Sequence, residues 1–336
     1  MRSVHVIAAQ FLTDKIRHKK LRQESVLCLY FSLRGGIFLD LMTRMSLTLA
    51  YVEENLTGEI DPEKLAQIAG CSAYNYYRMF SFITDMSLTE YIRRRKMTLA
   101  AIDLLNSDIK VIDLALKYGY DSPVSFSRAF QALHKVTPTE ARADGVTLKA
   151  CPRISFQISV KGEKEMEYRI EKKESFQVFG YEGIFKVDGG GTFPSTPHEL
   201  WNQNQVNGAY EKLASDAGDL PNFVAQDLCK VHGVCDYRQT QPGTFAYMQC
   251  AFKSGSSRTE GYTVVDIPAC TWVIFPAERF KWDQVVEVCT TLNKRFYSEW
   301  LPTSEYEQEN GLCIEVYGGD ADMGYLELWF AIRKKS

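Results

Sequence analysis

One grammatical pattern is written twice between Gly70 and Phe130. Gly70-Cys71-Ser72 leads to Arg78-Met79-Phe80, and Gly119-Tyr120-Asp121-Ser122 leads to Arg128-Ala129-Phe130. In each copy a glycine closes one short helix and a serine opens the next, which carries an arginine just before its last inward-facing aromatic. This duplication constrains the region to a pair of helix-turn-helix units. Double-stranded DNA is the first ligand such units imply.

The surrounding punctuation is helical from Ser46 onward. A first helix is expected over Leu47 to Asn55, and Asp61-Pro62 reads as an N-cap followed by proline at the first helical position. The helix after Ser72 buries Tyr76, Met79 and Phe80 by spacing, which leaves Tyr74, Asn75, Tyr77 and Arg78 pointing away from the core. Ser87-Leu88-Thr89-Glu90 is a capping box opening a helix to about Leu105, roughly 27 Å long at 1.5 Å per residue. Ile109 to Tyr118 repeats the first helix of the unit, and Ser122-Pro123 starts a second reading helix with Phe126, Ala129 and Phe130 inward. Thr137-Pro138-Thr139-Glu140 caps a last short helix. On the outward faces, Arg78 suits guanine acceptors and Asn75 suits adenine. Tyr74 and Tyr77 suit thymine methyls or phosphates, Val124 suits apolar contact, and Ser125, Ser127 and Arg128 suit polar contact. The long helix between the units spaces them near one DNA turn, about 34 Å.

With 336 residues, two domains with separate cores are expected. The net charge of −3 is not that of a general nucleic-acid binder, so DNA contact must come from local placement of Arg78, Arg93, Arg94, Arg95, Lys96 and Arg128. Nine cysteines follow no zinc spacing and read as reduced thiols. No apolar run approaches the roughly 20 residues of a membrane span, and Val4 to Leu12 followed by Lys15 and Arg17 lacks the order of a signal peptide. The expectation is a cytoplasmic protein. Residues 1 to 44 read as a loosely ordered extension, because Val26 to Leu33 is interrupted by Arg34-Gly35-Gly36 and Met42 and Met45 precede the first clear helix.

After Gly145 helical spacing gives way to a linker, residues 146 to 165, and then to β-rich sequence from residue 166 to 336. Two modules of strand, helix, strand, strand follow. The first spans Tyr168 to Phe185, a helix from His198 to Ala217, Val231 to Tyr237 and Phe245 to Phe252. The second spans Tyr262 to Phe275, a helix from Trp282 to Trp300, Leu312 to Tyr317 and Tyr325 to Ile332. The fold class is therefore an all-α double helix-turn-helix over 45–145 followed by an α+β domain, an antiparallel sheet backed by two helices.

Particular residues add a resemblance. Tyr91-Ile92-Arg93-Arg94-Arg95-Lys96-Met97, Ala115 to Ser122, Phe126-Ser127-Arg128-Ala129-Phe130 and Thr137-Pro138 closely resemble the DNA-binding domain of the AraC/XylS transcription regulators. Asp85 departs from that pattern, standing where the family often has glycine. The β-rich half resembles the GyrI-like effector-binding domain through its doubled module, Ile267-Pro268-Ala269 and Glu327-Leu328-Trp329. Together these imply a transcription regulator, an activator by the usual habit of the family, that answers to a small molecule and acts with RNA polymerase.

The strand chemistry independently suggests a pocket. By period two, Tyr325, Glu327 and Trp329 share one face while Leu326, Leu328 and Phe330 share a core-like face. A carboxylate between aromatics suits a lipophilic or cationic ligand. Glu327 is thus the first carboxylate expected there and Glu315 the second, with Trp201, Tyr247, Trp272 and Trp282 as further walls. No metal or cofactor motif is present: Gly189-Gly190-Gly191 lacks the Gly-Lys-Ser/Thr of a phosphate loop and His198-Glu199 reads as a helix start. A small-molecule hydrolase using a pocket glutamate and a protein-binding module remain alternative roles for this half.

Overall fold

Four helices of the first half begin on side-chain caps, at Asp61, Ser72, Ser87 and Ser122. The computed structural model describes residues 41–143, 145–156, 166–187, 196–241 and 243–335. The extension expected before residue 41 and the triplet Gly189-Gly190-Gly191 lie outside them. Helix α1, Leu41–Glu54, starts a turn and a half earlier than the spacing suggested and buries Met45 in its first half, so the expected boundary at residue 44 falls inside a helix. Helix α2, Pro62–Ala69, has Asp61 as N-cap and Gly70 at φ 68° as its left-handed terminus. Helix α3, Ala73–Thr84, is capped by Ser72, whose Oγ accepts from the Asn75 amide at 3.1 Å. It ends on Asp85 at φ 56°, so the aspartate takes the conformation usually left to glycine.

Helix α4, Leu88–Asn106, links the two units. Its expected capping box is half formed. Ser87 accepts from the Glu90 amide, but the Glu90 carboxylate turns forward to Arg93 and Arg94. The second unit consists of α5, Val111–Lys117, and α6, Pro123–His134, the latter capped by Ser122. Thr137 and Glu140 do exchange hydrogen bonds, but they introduce only a single 3-10 turn, Glu140–Arg142.

The sheet half follows the doubled module. Strands β1, Arg169–Lys173, and β2, Phe176–Lys186, divide the first expected strand. Helices α7, Pro197–Val206, and α8, Ala209–Asp216, divide the first expected helix, where Gly208 takes φ 79°. There follow β3, His232–Cys235; β4, Thr244–Phe252; β5, Thr263–Ile267; β6, Cys270–Pro276; and the short β7, Phe280–Lys281. Helix α9, Val285–Lys294, passes through a π-helical turn, Arg295–Trp300, before β8, Tyr306–Gly319, and β9, Met323–Lys334. All described pairings are antiparallel, in the order β1-β6-β9-β8-β3-β4-β2-β5 with β7 beside β9. The two modules thus meet edge to edge at β3 and β8.

Both faces of the sheet are buried. One carries Phe275, Leu328 and Phe330 toward the π-helical turn, where Phe296 stacks on Phe330 at 3.7 Å. The other carries Trp272, Ile314 and Trp329, closed in part by Leu220 and Val224. The first helix-turn-helix joins the former: Met45, Leu65, Tyr76 and Phe80 belong to the same apolar cluster as Phe245, Phe296 and Phe330. The second unit has its own core of Met97, Leu104, Leu114, Phe126 and Phe130. The two units are therefore anchored differently although their sequences are alike. Removing the Phe330 ring opens a cavity under the π-helical turn. Phe330→Ala is expected to cost about 3–5 kcal/mol, read as a lower denaturant midpoint.

Candidate functional site

A cavity of about 550 Å³ opens where α7 and α9 lean over the junction of the two modules. Its floor is β-strand. Glu315 of β8 lies opposite Gly233 of β3, and Tyr247 comes from β4 beyond it. A Cβ at Gly233 would collide with both the Tyr247 hydroxyl and the Glu315 carboxylate, so the glycine makes room for their hydrogen bond. Tyr247 and Tyr317 each donate to Glu315 Oε2 at 2.9 Å, and the Trp201 indole donates to the Tyr247 oxygen at 2.7 Å. Trp282 completes the aromatic wall, held by its Nε1 on the Asp320 carbonyl at 2.8 Å. Burial, with the neighbouring carboxylate second, pushes both tyrosine hydroxyls well above their usual range, keeping them as neutral donors.

Among the described residues no lysine or arginine lines the cavity and no cation pairs with Glu315. The Glu315 carboxyl group is walled by five aromatics, Trp201, Tyr210, Tyr247, Trp282 and Tyr317, with Val285 and Val286 at the rim. Cys289 also lines it, but burial raises its thiol far above the reactive range, and His198 is engaged with Asn202 at 3.2 Å. Among the described residues no group of three metal-binding side chains occurs.

Four of the expected pocket residues are in the cavity: Glu315, Trp201, Tyr247 and Trp282. Glu327, Tyr325, Trp329 and Trp272 are not, which corrects the order of the two carboxylates. Register decides it: Glu315 pairs with Leu328 and Val316 with Glu327, so the two carboxylates leave opposite faces of the sheet. Glu327 is consumed internally, accepting from Arg169, Tyr325 and the Trp329 indole, each at 2.8 Å. Trp272 and Trp329 are fully buried against each other in the second core. Tyr317, absent from the expected set, shares a face with Glu315 by period two.

The two expected reading faces differ from each other. On α6, Val124, Ser125 and Arg128 are exposed and Ser127 half-buried. On α3 three of the four expected residues, Tyr74, Asn75 and Arg78, meet the sheet half. Tyr74 stacks on Phe245 at 3.6 Å and 10°, and Asn75, 2% exposed, donates to Gln308 and accepts from Tyr297. Arg78 donates to Cys235 Sγ at 3.0 Å and to Asn293 at 3.2 Å, and Tyr77 packs half-buried against the shared core. The Ser72 hydroxyl donates to Asp236, whose carboxyl burial pushes up to about 6. The basic run also divides. Arg95 is locked to Glu53, with both side chains mostly buried, and Lys96 donates to the Tyr118 carbonyl, so these two brace helices. Arg93 and Arg94 share Glu90 on a more open surface.

Comparison with known proteins follows this division. Residues 65–144 match the helix-turn-helix domain family, and residues 169–332 match the family described as integron-associated effector binding protein. The transcriptional activator AarP of Providencia stuartii is 40% identical over 91 residues, 27% of this chain and 67% of its own. The regulatory protein SoxS of Escherichia coli is 32% identical over 94 residues, 28% of this chain and 88% of its own. The chain belongs to the AraC family of helix-turn-helix transcription regulators. It is a DNA-binding regulator whose sheet half is a GyrI-like effector-binding domain. The regulator YbfP of Bacillus subtilis, 32% identical over 180 residues, covers 53% of this chain and 55% of its own length. Among solved structures, a transcription regulation protein from Staphylococcus aureus covers half of this chain and 99% of its own at 15% identity, with a TM-score of 0.39. Another, solved with tetraphenylphosphonium bound, covers 50% and 94% at 16% identity and a TM-score of 0.40.

Burial works against the charge of Glu327, but the hydrogen bonds from Arg169, Trp329 and Tyr325 win and hold its carboxyl below the usual range. A folded pKa below the unfolded one stabilises the protein above the unfolded value, and that contribution fades as pH falls through the folded value. Glu327→Gln is expected to lose about 1–3 kcal/mol at pH 7, with the gap to the native protein closing in acid. Equal unfolding midpoints at neutral pH would contradict this role.

Proposed function

We propose that this chain is a ligand-responsive activator, acting with RNA polymerase in the cytoplasm, whose 45–145 segment reads DNA and whose 166–336 segment senses a lipophilic organic cation. The observation that carries the sensing half is Glu315, a carboxylate steadied by two tyrosine hydroxyls at 2.9 Å and faced by Trp201 and Trp282 in a cavity of about 550 Å³. A delocalised cation gains both the carboxylate's charge and the ring faces while displacing little bound water. The name of AarP as an activator supports the direction of control.

In this reading α3 and α6 enter successive major grooves. Tyr74, Asn75, Tyr77 and Arg78 read one segment, and Val124, Ser125, Ser127 and Arg128 the other. Of the expected phosphate contacts, Arg93 and Arg94 fit the role better than Arg95 and Lys96, which are engaged within the helical core.

Two outcomes are expected. Tetraphenylphosphonium quenches the tryptophan fluorescence of the full chain, and Glu315→Gln weakens its binding by at least about tenfold, or ~1.4 kcal/mol, while Glu327→Gln does not. Undiminished affinity in Glu315→Gln would refute the assignment. On the DNA side, Arg128→Ala weakens binding to a sequence selected from random oligonucleotides by about 1–3 kcal/mol at fixed salt, and unchanged affinity would remove Arg128 from the reading set.

A further inference from the structure

We propose that the sheet half masks helix α3, so that both recognition helices reach DNA only after this contact opens, and that α9 couples the opening to occupancy of the cavity. The inference rests on the reading of α3 and of the cavity given above.

Three observations carry it. First, the side chains of α3 that would meet base edges are satisfied by groups resembling those of DNA: a carboxylate, Asp236, at the N-cap serine, an amide, Gln308, for Asn75, and a flat ring, Phe245, under Tyr74. A side chain cannot serve both partners at once, so this state and a groove-bound α3 exclude each other. Second, the sheet is shaped for the helix. The register of β8 shifts between Gln308 and Cys313, and within that bulge Gly311 at φ 80° lets Asn75 and Asp236 come close, since a Cβ there would strike Asp236 and crowd Asn75. Third, α9 touches both sites. Val285, Val286 and Cys289 line the cavity, while one turn further on Asn293 holds Arg78 and Lys294 pairs with Asp85 at the end of α3. Asn293 itself donates to Cys289, tying the cavity wall to the clamp. The π-helical turn that follows supplies Tyr297 to Asn75. A ligand that displaces α9 therefore acts on the contact directly, and its effect is bounded by its preference for the open form.

The test uses full chains and an operator selected from random oligonucleotides with the Asn293→Ala/Gln308→Ala variant, whose changes lie outside both the cavity lining and α3. The double variant is expected to bind that operator about tenfold more tightly than the native chain at fixed salt, with tetraphenylphosphonium narrowing the gap by tightening the native chain. Lys294→Glu, which removes the pair with Asp85 at the end of α3, shifts affinity in the same direction by less. Equal operator affinity of native and variant chains, both folded by thermal melting, overturns the masking. Tetraphenylphosphonium that quenches tryptophan fluorescence yet leaves native operator affinity unchanged overturns the coupling. Absence of quenching refutes the cavity reading and with it the coupling, while the affinity comparison still decides the masking.

Discussion

The docking of α3 on the sheet is the contact on which the rest of the architecture turns. Arg78 is the sharpest part of it. A guanidinium that a solvent-facing recognition helix would hold in water is here inserted between the Cys235 sulfur and the Asn293 amide, over the rings of Tyr74 and Tyr297. Such an insertion costs desolvation and is sustained only while its partners stay in place. That condition makes the contact reversible in principle and sensitive to small movements of α9. It also explains why the apolar core of the first unit continues into the sheet while the second unit keeps a core of its own.

The cavity and the docking site share one sheet face. Cys235 and Cys313, opposite each other across β3 and β8, lie between Arg78 on one side and Glu315 on the other. The sheet is thus a base on which one helix, α9, is the shared wall. A helix that lines the cavity on one side and holds Arg78 on the other is where the proposed coupling between ligand and α3 would have to run.

Much of this was legible in the sequence, because caps and turns are local chemistry. Ser72, Ser122, Gly70 and Asp61 end or begin helices through hydrogen bonds to their own neighbours, so their roles needed no tertiary information. The doubled strand module was readable from alternation. The face that Glu327 occupies was not, because period two separates two faces without saying what covers them, and here both are buried. Glu327 and Glu315 each sit among aromatics in sequence, and only the β8–β9 register sends one to Arg169 and the other to the cavity. Gly233 was the overlooked signal, a glycine inside a strand whose neighbours are bulky.

The masking of α3 was invisible for a related reason. A polar helix face predicts that something polar will meet it, and water, DNA and the amide of Gln308 all satisfy that expectation. The most direct measurement is the separation of the Tyr74 and Phe245 rings in a structure of the full chain on its selected operator. The account predicts that the 3.6 Å stack is broken and that α3 and α6 occupy successive grooves. An operator complex in which the stack persists would contradict it.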